Sequence, residues 1–517
     1  MTGSTSSSTD SRSASSADVL IVGAGPAGLT LAADLLRRGV GVRIISAADE
    51  GFAGSRAKGI QPRTQEVFDD LGVLDDVVRY SSSYPALGVH LGPLVLPRTM
   101  FAPRRPSEAV PYPNTLLVGQ YDTDAALRRR VEALGGRIEL GTRLTTLDQH
   151  DDGADDRVTA TVESPRGTEH IRARYLVGAD GGGSAVRRAC GIGFEGTTDE
   201  SDRMIVADLL IRGLSRKRWH VWPSRRFLAL CPLPGEDARL FQLMVKLTPD
   251  DDADTGREAV ERRIRGYAGT RRVSVDAVRW HSVWRPNTRL AQHYRKGRVF
   301  LVGDAAHVHP PTGAQGLNTG VQDSYNLGWK LGQVLAGAPD GLLDTYEAER
   351  RPVAARVLGL ATELYADTKG RPLAATTRGD EERQLALSYR GGPLAVDSVP
   401  NTGTGASTGG LAAGDRVPDL RWTDPRNGPQ RLFDHLRGPH FTLLAVGEPP
   451  KISWPDAGAP LRTVTVPAAD AARLGGTGTT AMLIRPDGYL LATYSVEFGP
   501  DTIRRTLIHP ATFVDLE

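Results

Sequence analysis

Three glycines near the N-terminus constrain this chain more than anything else in it. They lie in VLIVGAGPAGLTLAADLLRRGVGVRIIS, which begins at Val19, as Gly23, Gly25 and Gly28. An apolar run of strand character leads into them, and a run with helical spacing of apolar residues leads out. A second apolar run closes at Ser46. The spacing predicts a β-α-β unit of about 30 residues, with Gly39 read as the helix C-cap. Each glycine has its own task. Gly23 allows the tight turn, Gly25 lets a pyrophosphate approach the backbone, and Gly28 lets the helix lie close to the strand. Free N–H groups at the helix start, with Pro26 and Ala27, then favour phosphate. This context predicts a bound dinucleotide. Such sites ordinarily end the second strand in an acidic residue that bonds the adenosine ribose. Here that place holds Ser46, an uncharged and weaker acceptor, with Asp49 and Glu50 in the loop beyond it.

At 517 residues the chain is too long for one compact core, so two or three domains are expected. Its 63 basic and 61 acidic residues nearly balance, which gives no reason to expect a nucleic acid or a membrane surface as partner. Residues 1–17 are mostly Ser and Thr with no apolar stretch, and are expected to be a disordered tail rather than a secretory signal. No run approaches the roughly 18 apolar residues of a membrane helix. Only two cysteines occur, Cys190 and Cys231, far apart and at no metal or redox spacing. They read as buried, inert thiols, and so few of them suit a reducing cytoplasm.

Beyond the first unit, DTDAALRRRVEALGGRIEL reads as a helix and strand, and RARYLVGADGGGSAVRRACG as strand, glycine turn and helix. The pattern then changes. DRMIVADLLI, RWHVW, RFLALCPL and RLFQLMVKL are short β-rich runs, predicted to form an antiparallel sheet inserted between the dinucleotide-binding pieces. GRVFLVGDAAH returns to strand–turn–helix, and helical sequence follows to about 370. Residues 391–413 are rich in Gly, Ser, Thr and Pro and read as a linker that few contacts should cross. The last 100 or so residues contain FTLLAVG, TVTVP and AMLIRPDGYLLATYS, strands with a turn at Asp487-Gly488.

Two further clusters carry chemistry. Gly178, Asp180, Gly181, Ser184 and Arg187 form G-x-D-G-x-x-S-x-x-R, which by itself reads equally as a capped helix start. Gly303-Asp304 closes another strand, and Asp304 is placed to accept hydrogen bonds from cofactor hydroxyls. Pro310, Pro311, Gly313 and Gly316 shape a loop before a helix that starts near Leu317-Asn318, whose N-terminus favours negative charge. His307 and His309 have no Cys or carboxylate at ligand spacing in the sequence, so no metal is expected. Trp222, Cys231 and Phe241 read as facing either the substrate pocket or the domain core, with core preferred, so no catalytic base is assigned.

Taken in order, G-x-G-x-x-G, then G-x-D-G near 180, then G-D-A-A-H near 304, the three clusters resemble the class A flavin monooxygenases typified by p-hydroxybenzoate hydroxylase. The resemblance covers residues 17 to about 370. With the linker and C-terminal region, the chain is similar to three-domain members such as phenol hydroxylase and the aromatic polyketide hydroxylases of antibiotic pathways. It implies an α/β fold: a Rossmann-like FAD-binding domain over 18–390, an inserted antiparallel-sheet substrate domain drawn from about 82–115 and 195–288, and a C-terminal thioredoxin-like domain over 414–517. No cysteine lies beyond Cys231, so that last domain would serve packing or dimerisation.

The resemblance implies FAD as the resident dinucleotide and NADPH as electron donor. Gly25, Pro26 and Ala27 would lie at the pyrophosphate. Arg56 in SRAKGIQPRT, Gln120 in LLVGQYDTDAAL, Asp180 and Asp304 match cofactor-facing positions, and Gly316, Leu317 and Asn318 match the backbone at the flavin ring. The family's Gly-Gly-Gln-Gly reads Gly313-Ala314-Gln315-Gly316 here, so a methyl group narrows the space for flavin movement. The implied activity is hydroxylation of an aromatic, phenolic or polyketide, substrate with O2, through a flavin C4a-hydroperoxide, by a cytoplasmic monomer or homodimer. Two alternatives stand beside it: a Baeyer–Villiger or antibiotic-inactivating oxygenase on the same scaffold, and a flavin-binding partner protein that does not turn over.

Overall fold

A computed structural model describes residues 15–149, 156–223, 227–235, 237–269, 272–310, 314–370, 380–397, 410–449, 454–474 and 479–495. Most of the expected N-terminal tail, residues 398–409 of the expected linker, and Pro311 and Gly313 lie outside these.

The apolar runs of the dinucleotide unit pair in parallel. Among the described residues the strand order is Val299–Leu301, Gly167–Gly178, Ser15–Val22, Val42–Ile45 and Ile138–Glu139. Val19, Leu20, Ile21, Leu176, Val177, Phe300 and Leu301 are buried, as a parallel sheet covered on both faces requires. The helix Pro26–Leu36 follows the first strand. It ends three residues before Gly39, which reverses the chain in a left-handed conformation (φ 76°) and is not itself the C-cap. This helix crosses the helix Gly316–Leu335 through small residues: a Cβ placed on Gly320 would lie 3.0 Å from Gly303 Cα and 3.5 Å from Ala27 Cβ.

The second sheet runs Ser274–Trp284, Arg203–Arg212, Leu240–Leu247, Leu228–Pro232, Arg218–Trp222, Ala86–Leu91 and Leu94–Arg98. It is antiparallel except where Arg218–Trp222 joins Ala86–Leu91 in parallel, so it draws strands from two separate stretches of chain. The β-rich pattern concealed a helix, Arg257–Ala268. Its Val260 and Ile264 form a core with Ile205, Leu209, Trp222, Phe241 and Leu243 on one face of the sheet. Cys231 lies instead on the other face, with Leu87, Leu117, Trp219 and Ala229. Both cysteines are buried and unpaired.

In the C-terminal domain the strand order is Val396–Asp397, Leu490–Ser495, Thr479–Ile484, Phe441–Val446 and Leu461–Val466, so the first strand comes from inside the expected linker 391–413, ahead of the expected domain start at 414. The last two are parallel, and Phe441–Val446 runs antiparallel to Thr479–Ile484, a thioredoxin-like arrangement. The expectation that few contacts tie this domain down is corrected by its Arg485–Gly488 turn. Arg485 donates to Glu349 (2.6 and 3.0 Å) and to Asp487, and Glu349 also accepts from Lys330 (2.9 Å). Arg63 donates to the Asp487 carbonyl (2.7 Å), and Arg416 pairs with Glu66 (3.0 Å). The side chains of Arg485, Lys330, Glu349 and Asp487 are 0–1% exposed, so these charges are buried in the contact between domains.

Candidate cofactor and substrate site

The registers of the parallel sheet place the sequence motifs at one level. Val22 is opposite both Gly178 and Ile45, and Gly178 is opposite Leu301. The residues that follow are therefore Gly23, Ala179-Asp180, Ser46 and Val302-Gly303, side by side at the carboxyl ends of the strands. Ligands of open α/β sheets bind there, where the chain order reverses. Gly23 (φ 114°) makes the turn, and any Cβ on it would strike the Ala179 carbonyl. A Cβ on Gly28 would strike the Gly23 carbonyl oxygen, whereas Gly25 faces open space within 4 Å.

The helices that begin here offer their N-termini. Neither Pro26–Leu36 nor Gly316–Leu335 has a side-chain cap or an acidic residue in its first turn. Orphan N–H groups without a cap suit an anionic ligand. Asp180 divides its role: Oδ2 caps the short helix Ala185–Ala189 by accepting from Ala185 N (2.6 Å) and Val186 N (3.1 Å), while Oδ1 is buried without a partner. Arg187 joins the second cluster to the third, donating to the carbonyls of Gly182 and Ala305 (both 2.8 Å). Asp304 is exposed on a 3-10 turn, and among the described residues its carboxylate makes no protein hydrogen bond. Beneath it, Asp323 accepts from Gly303 N (3.2 Å), His307 Nε2 (2.7 Å) and Arg350 (2.8 Å). Burial opposes charge on Asp323, but Arg350 and His307 outweigh it and hold the carboxyl below its usual range. His307 is thereby a support for the turn. Among the described residues, no cluster of His, Cys, Asp and Glu is grouped as metal ligands.

Ser46 uses its hydroxyl locally, accepting from Ala48 N (3.3 Å). Asn318 is buried, and its side chain is a clamp: it accepts from Gln61 N (2.8 Å) and donates to the carbonyls of Gly59 (2.8 Å) and Ala314 (2.7 Å). Ala314 is held in the left-handed region (φ 53°), a conformation that costs an ordinary residue about 1 kcal/mol or more. Gln120 accepts from Ala57 N (3.3 Å), and Arg56 is exposed over the Phe52 ring (5.5 Å).

The stretch Ser55–Gly59 joins this site to the second sheet. Ser55 donates through N (2.7 Å) and Oγ to Asp208; Gln242 donates to Ser55; Lys58 Nζ donates to Gln242. Sequence reasoning missed Ser55, Lys58, Asp208 and Gln242 as a group. Their one signal was polar residues inside the apolar runs DRMIVADLLI and RLFQLMVKL, ordinarily solvent-facing positions. Around Lys58 the packed cluster on this face of the sheet contains Trp219, Cys231, Leu117 and Leu233, with Tyr84, Tyr121 and Met244 at the margin. Burial pushes the Cys231 thiol up to about 12, so it carries no thiolate.

The geometry is that of a dinucleotide cradle facing an apolar, aromatic-rimmed sheet. Residues 16–361 match the family described as an FAD binding domain, and residues 411–507 match the C-terminal domain of aromatic-ring hydroxylases. This chain belongs to the class A flavin monooxygenases. A flavin-dependent monooxygenase of Mycobacteroides abscessus is 40% identical over 486 residues, covering 91% of this chain and 96% of that protein. The 12-dehydrotetracycline 5-monooxygenase/anhydrotetracycline 6-monooxygenase of Streptomyces rimosus is 33% identical, covering 95% of this chain and 98% of its own length. Among solved structures, a ternary complex of aklavinone-11 hydroxylase with FAD and aklavinone superposes with a TM-score of 0.78 at 26% identity, covering 96% and 98% of the two chains. As a class A flavin monooxygenase the chain is an enzyme, and FAD is its cofactor. Among the described residues no helix is long and apolar enough to cross a membrane.

Proposed function

We propose that this enzyme hydroxylates an aromatic, polyketide-like substrate, with NADPH as the donor. The observation that carries the reading is the pairing of two surfaces through Ser55–Gly59: open helix N-termini on one side and the sheet face around Trp219 on the other. Pockets for small aromatic molecules are mostly apolar with a few placed polar groups. Gly23, Gly25, Pro26, Ala27 and Gly28 would hold the pyrophosphate, and Asp304 would accept from the sugar-alcohol hydroxyls. Ser46 would face the adenosine ribose. Gly316, Leu317 and Asn318 would present backbone to the flavin ring, with Asp180, Arg56 and Gln120 around it. Bound FAD supplies the redox chemistry: it takes electrons from NADPH and activates O2. The chain's own part is placement. The Asn318 clamp fixes the loop, the helix start at Gly316 favours negative charge in front of it, and the buried sheet face keeps water from the reacting ring.

The test is direct. The purified protein should release FAD, not FMN, on denaturation. It should oxidise NADPH faster than NADH, and only a cognate phenolic polyketide should accelerate that oxidation strongly. Rate acceleration by no member of a polyketide panel, or a preference for NADH, would contradict the reading. Product structure separates ring hydroxylation from oxygen insertion into a ketone.

A further inference from the structure

Lys58 is a partly buried charge that stands apart from the buried ion pairs of this molecule. It is one of only 7 lysines among 63 basic residues. Its ammonium lies 4.8 Å from the Trp219 ring centroid, bonds to the Gln242 side-chain oxygen, and reaches Met244 Sδ at 3.7 Å. Asp208, Gln242 and Cys231 are cross-strand neighbours and form a row on the same face of the sheet. Asp208 is the nearby carboxyl, but both of its oxygens are occupied by Ser55, and burial pushes it above its usual range. Cys231 is a neutral thiol, and burial raises the Tyr121 phenol as well. Among the described residues, no carboxylate forms an ion pair with Lys58. Burial accordingly pulls the lysine down from its ordinary range.

An ammonium partly withdrawn from water without a counter-charge is costly, and an anion brought beside it offsets that cost. Its place shows where the anion would come from. Lys58 is next to Gly59, whose Cα faces Ala314 in the loop before Gly316, while the lysine side chain runs toward the sheet face that carries Trp219 and Gln242, against which Tyr84 packs. Lysine suits this post better than arginine, because its charge responds to burial and to a partner.

We propose that Lys58 is the specificity-determining cation of the substrate pocket, pairing with an ionised acidic hydroxyl on an aromatic ring that lies against the Trp219 face. This rests on the hydroxylase reading above. Where a neutral phenol meets a neutral amine, the same pair results when the proton leaves the hydroxyl oxygen for Nζ. One O–H bond breaks, one N–H bond forms, and no other reactant is needed. The pocket would thus select rings bearing an acidic hydroxyl and disfavour the same ring without one.

The experiment compares two dyes on the FAD-loaded protein: alizarin, whose anion absorbs at longer wavelength than its neutral form, and anthraquinone, which has no hydroxyl. Wild-type protein should bind alizarin the more tightly, and should show the anion's spectrum at a pH where the free dye is neutral. Lys58→Met should weaken alizarin by at least about tenfold, as expected for truncating one member of a buried charge pair. It should leave anthraquinone binding unchanged or tighter, and Lys58→Arg should recover part of the loss. Equal loss of both dyes would mean that Lys58 only supports the fold. Undiminished alizarin binding by Lys58→Met, or a neutral dye spectrum in the wild type, would overturn the proposal, and the second needs no variant. Wild-type protein that binds neither dye would instead overturn the aromatic reading on which this one rests.

Discussion

Two regions of this molecule arrange their charges in opposite ways. Where the C-terminal domain docks, Lys330 and Arg485 are set against Glu349 and Asp487, two cations and two anions joined by hydrogen bonds of 2.5–3.0 Å. Burial alone would raise Glu349, yet Arg485 and Lys330 hold it down to about 2. Across the strand ends and the second sheet the polar groups are left uneven: among the described residues Lys58 has no ion pair and Asp180 Oδ1 no donor, and Asp304 faces solvent. A charge set completed by protein groups serves structure. A set left incomplete is where a ligand supplies the missing partner.

The largest expected effect comes from breaking the completed set. Glu349→Gln keeps the shape but leaves Arg485 and Lys330 under-compensated, and removing one partner of a buried pair typically costs about 3–5 kcal/mol. Denaturant unfolding read through Trp329, whose ring centroid is 5.2 Å from Arg485, should show a loss of that size. A change below about 1 kcal/mol would erase the contrast between the regions.

The next effect belongs to the incomplete set. Asp304→Ala removes an acceptor with no duty to the protein, so folding should be nearly unaffected. FAD affinity should fall about tenfold to a hundredfold, the equivalent of a charged hydrogen bond at roughly 1.5–3 kcal/mol. Titration of the apoprotein measures this, and the opposite outcome, lost stability with intact FAD binding, would move Asp304 into the structural class.

Asp124 gives a smaller effect with a pH signature. It lies on the helix Gln120–Ala133, and burial pushes its carboxyl up from 3.8 to about 7 while one oxygen has no partner. The folded state therefore holds a proton that the unfolded state releases. The associated stability is fully present below pH 3.8 and is lost as pH rises through about 7. Asp124→Asn should melt higher than the wild type, by a margin that grows across that window and then levels off. A margin independent of pH would show that the carboxyl ionises normally.

The smallest effect is at Ala314. Ala314→Gly relieves a left-handed alanine and should stabilise by no more than about 1 kcal/mol. It also removes a methyl group beside Gly59, so a larger share of NADPH consumption should end as peroxide, read with a peroxide probe. An unchanged peroxide share would free Ala314 from any part in coupling.

These contrasts also mark what the sequence could disclose. The cradle was legible because its signals are local: glycines at fixed spacing between an apolar strand and an apolar helix. The Arg485–Gly488 turn was legible as a turn for the same reason. Its function as an anchor was not, because Glu349 is 136 positions away. Ser55 and Asp208 are separated by 153 positions, and only the folded sheet shows that Asp208, Gln242 and Cys231 share a face with Lys58. The helix Arg257–Ala268 was hidden because its Val260 and Ile264 provide few apolar positions among many charges. Left-handed Ala314 is fixed by the Asn318 clamp, a tertiary constraint that alanine's own preferences oppose.

The central claim is that the cradle and the facing sheet together perform monooxygenation. Turnover of a cognate phenolic polyketide with NADPH under isotopically labelled O2 tests it most directly. The account requires one labelled oxygen atom in each product molecule, with NADPH oxidation slow until that substrate is added. Product that carries no label, or NADPH oxidation that ignores the substrate, would contradict it.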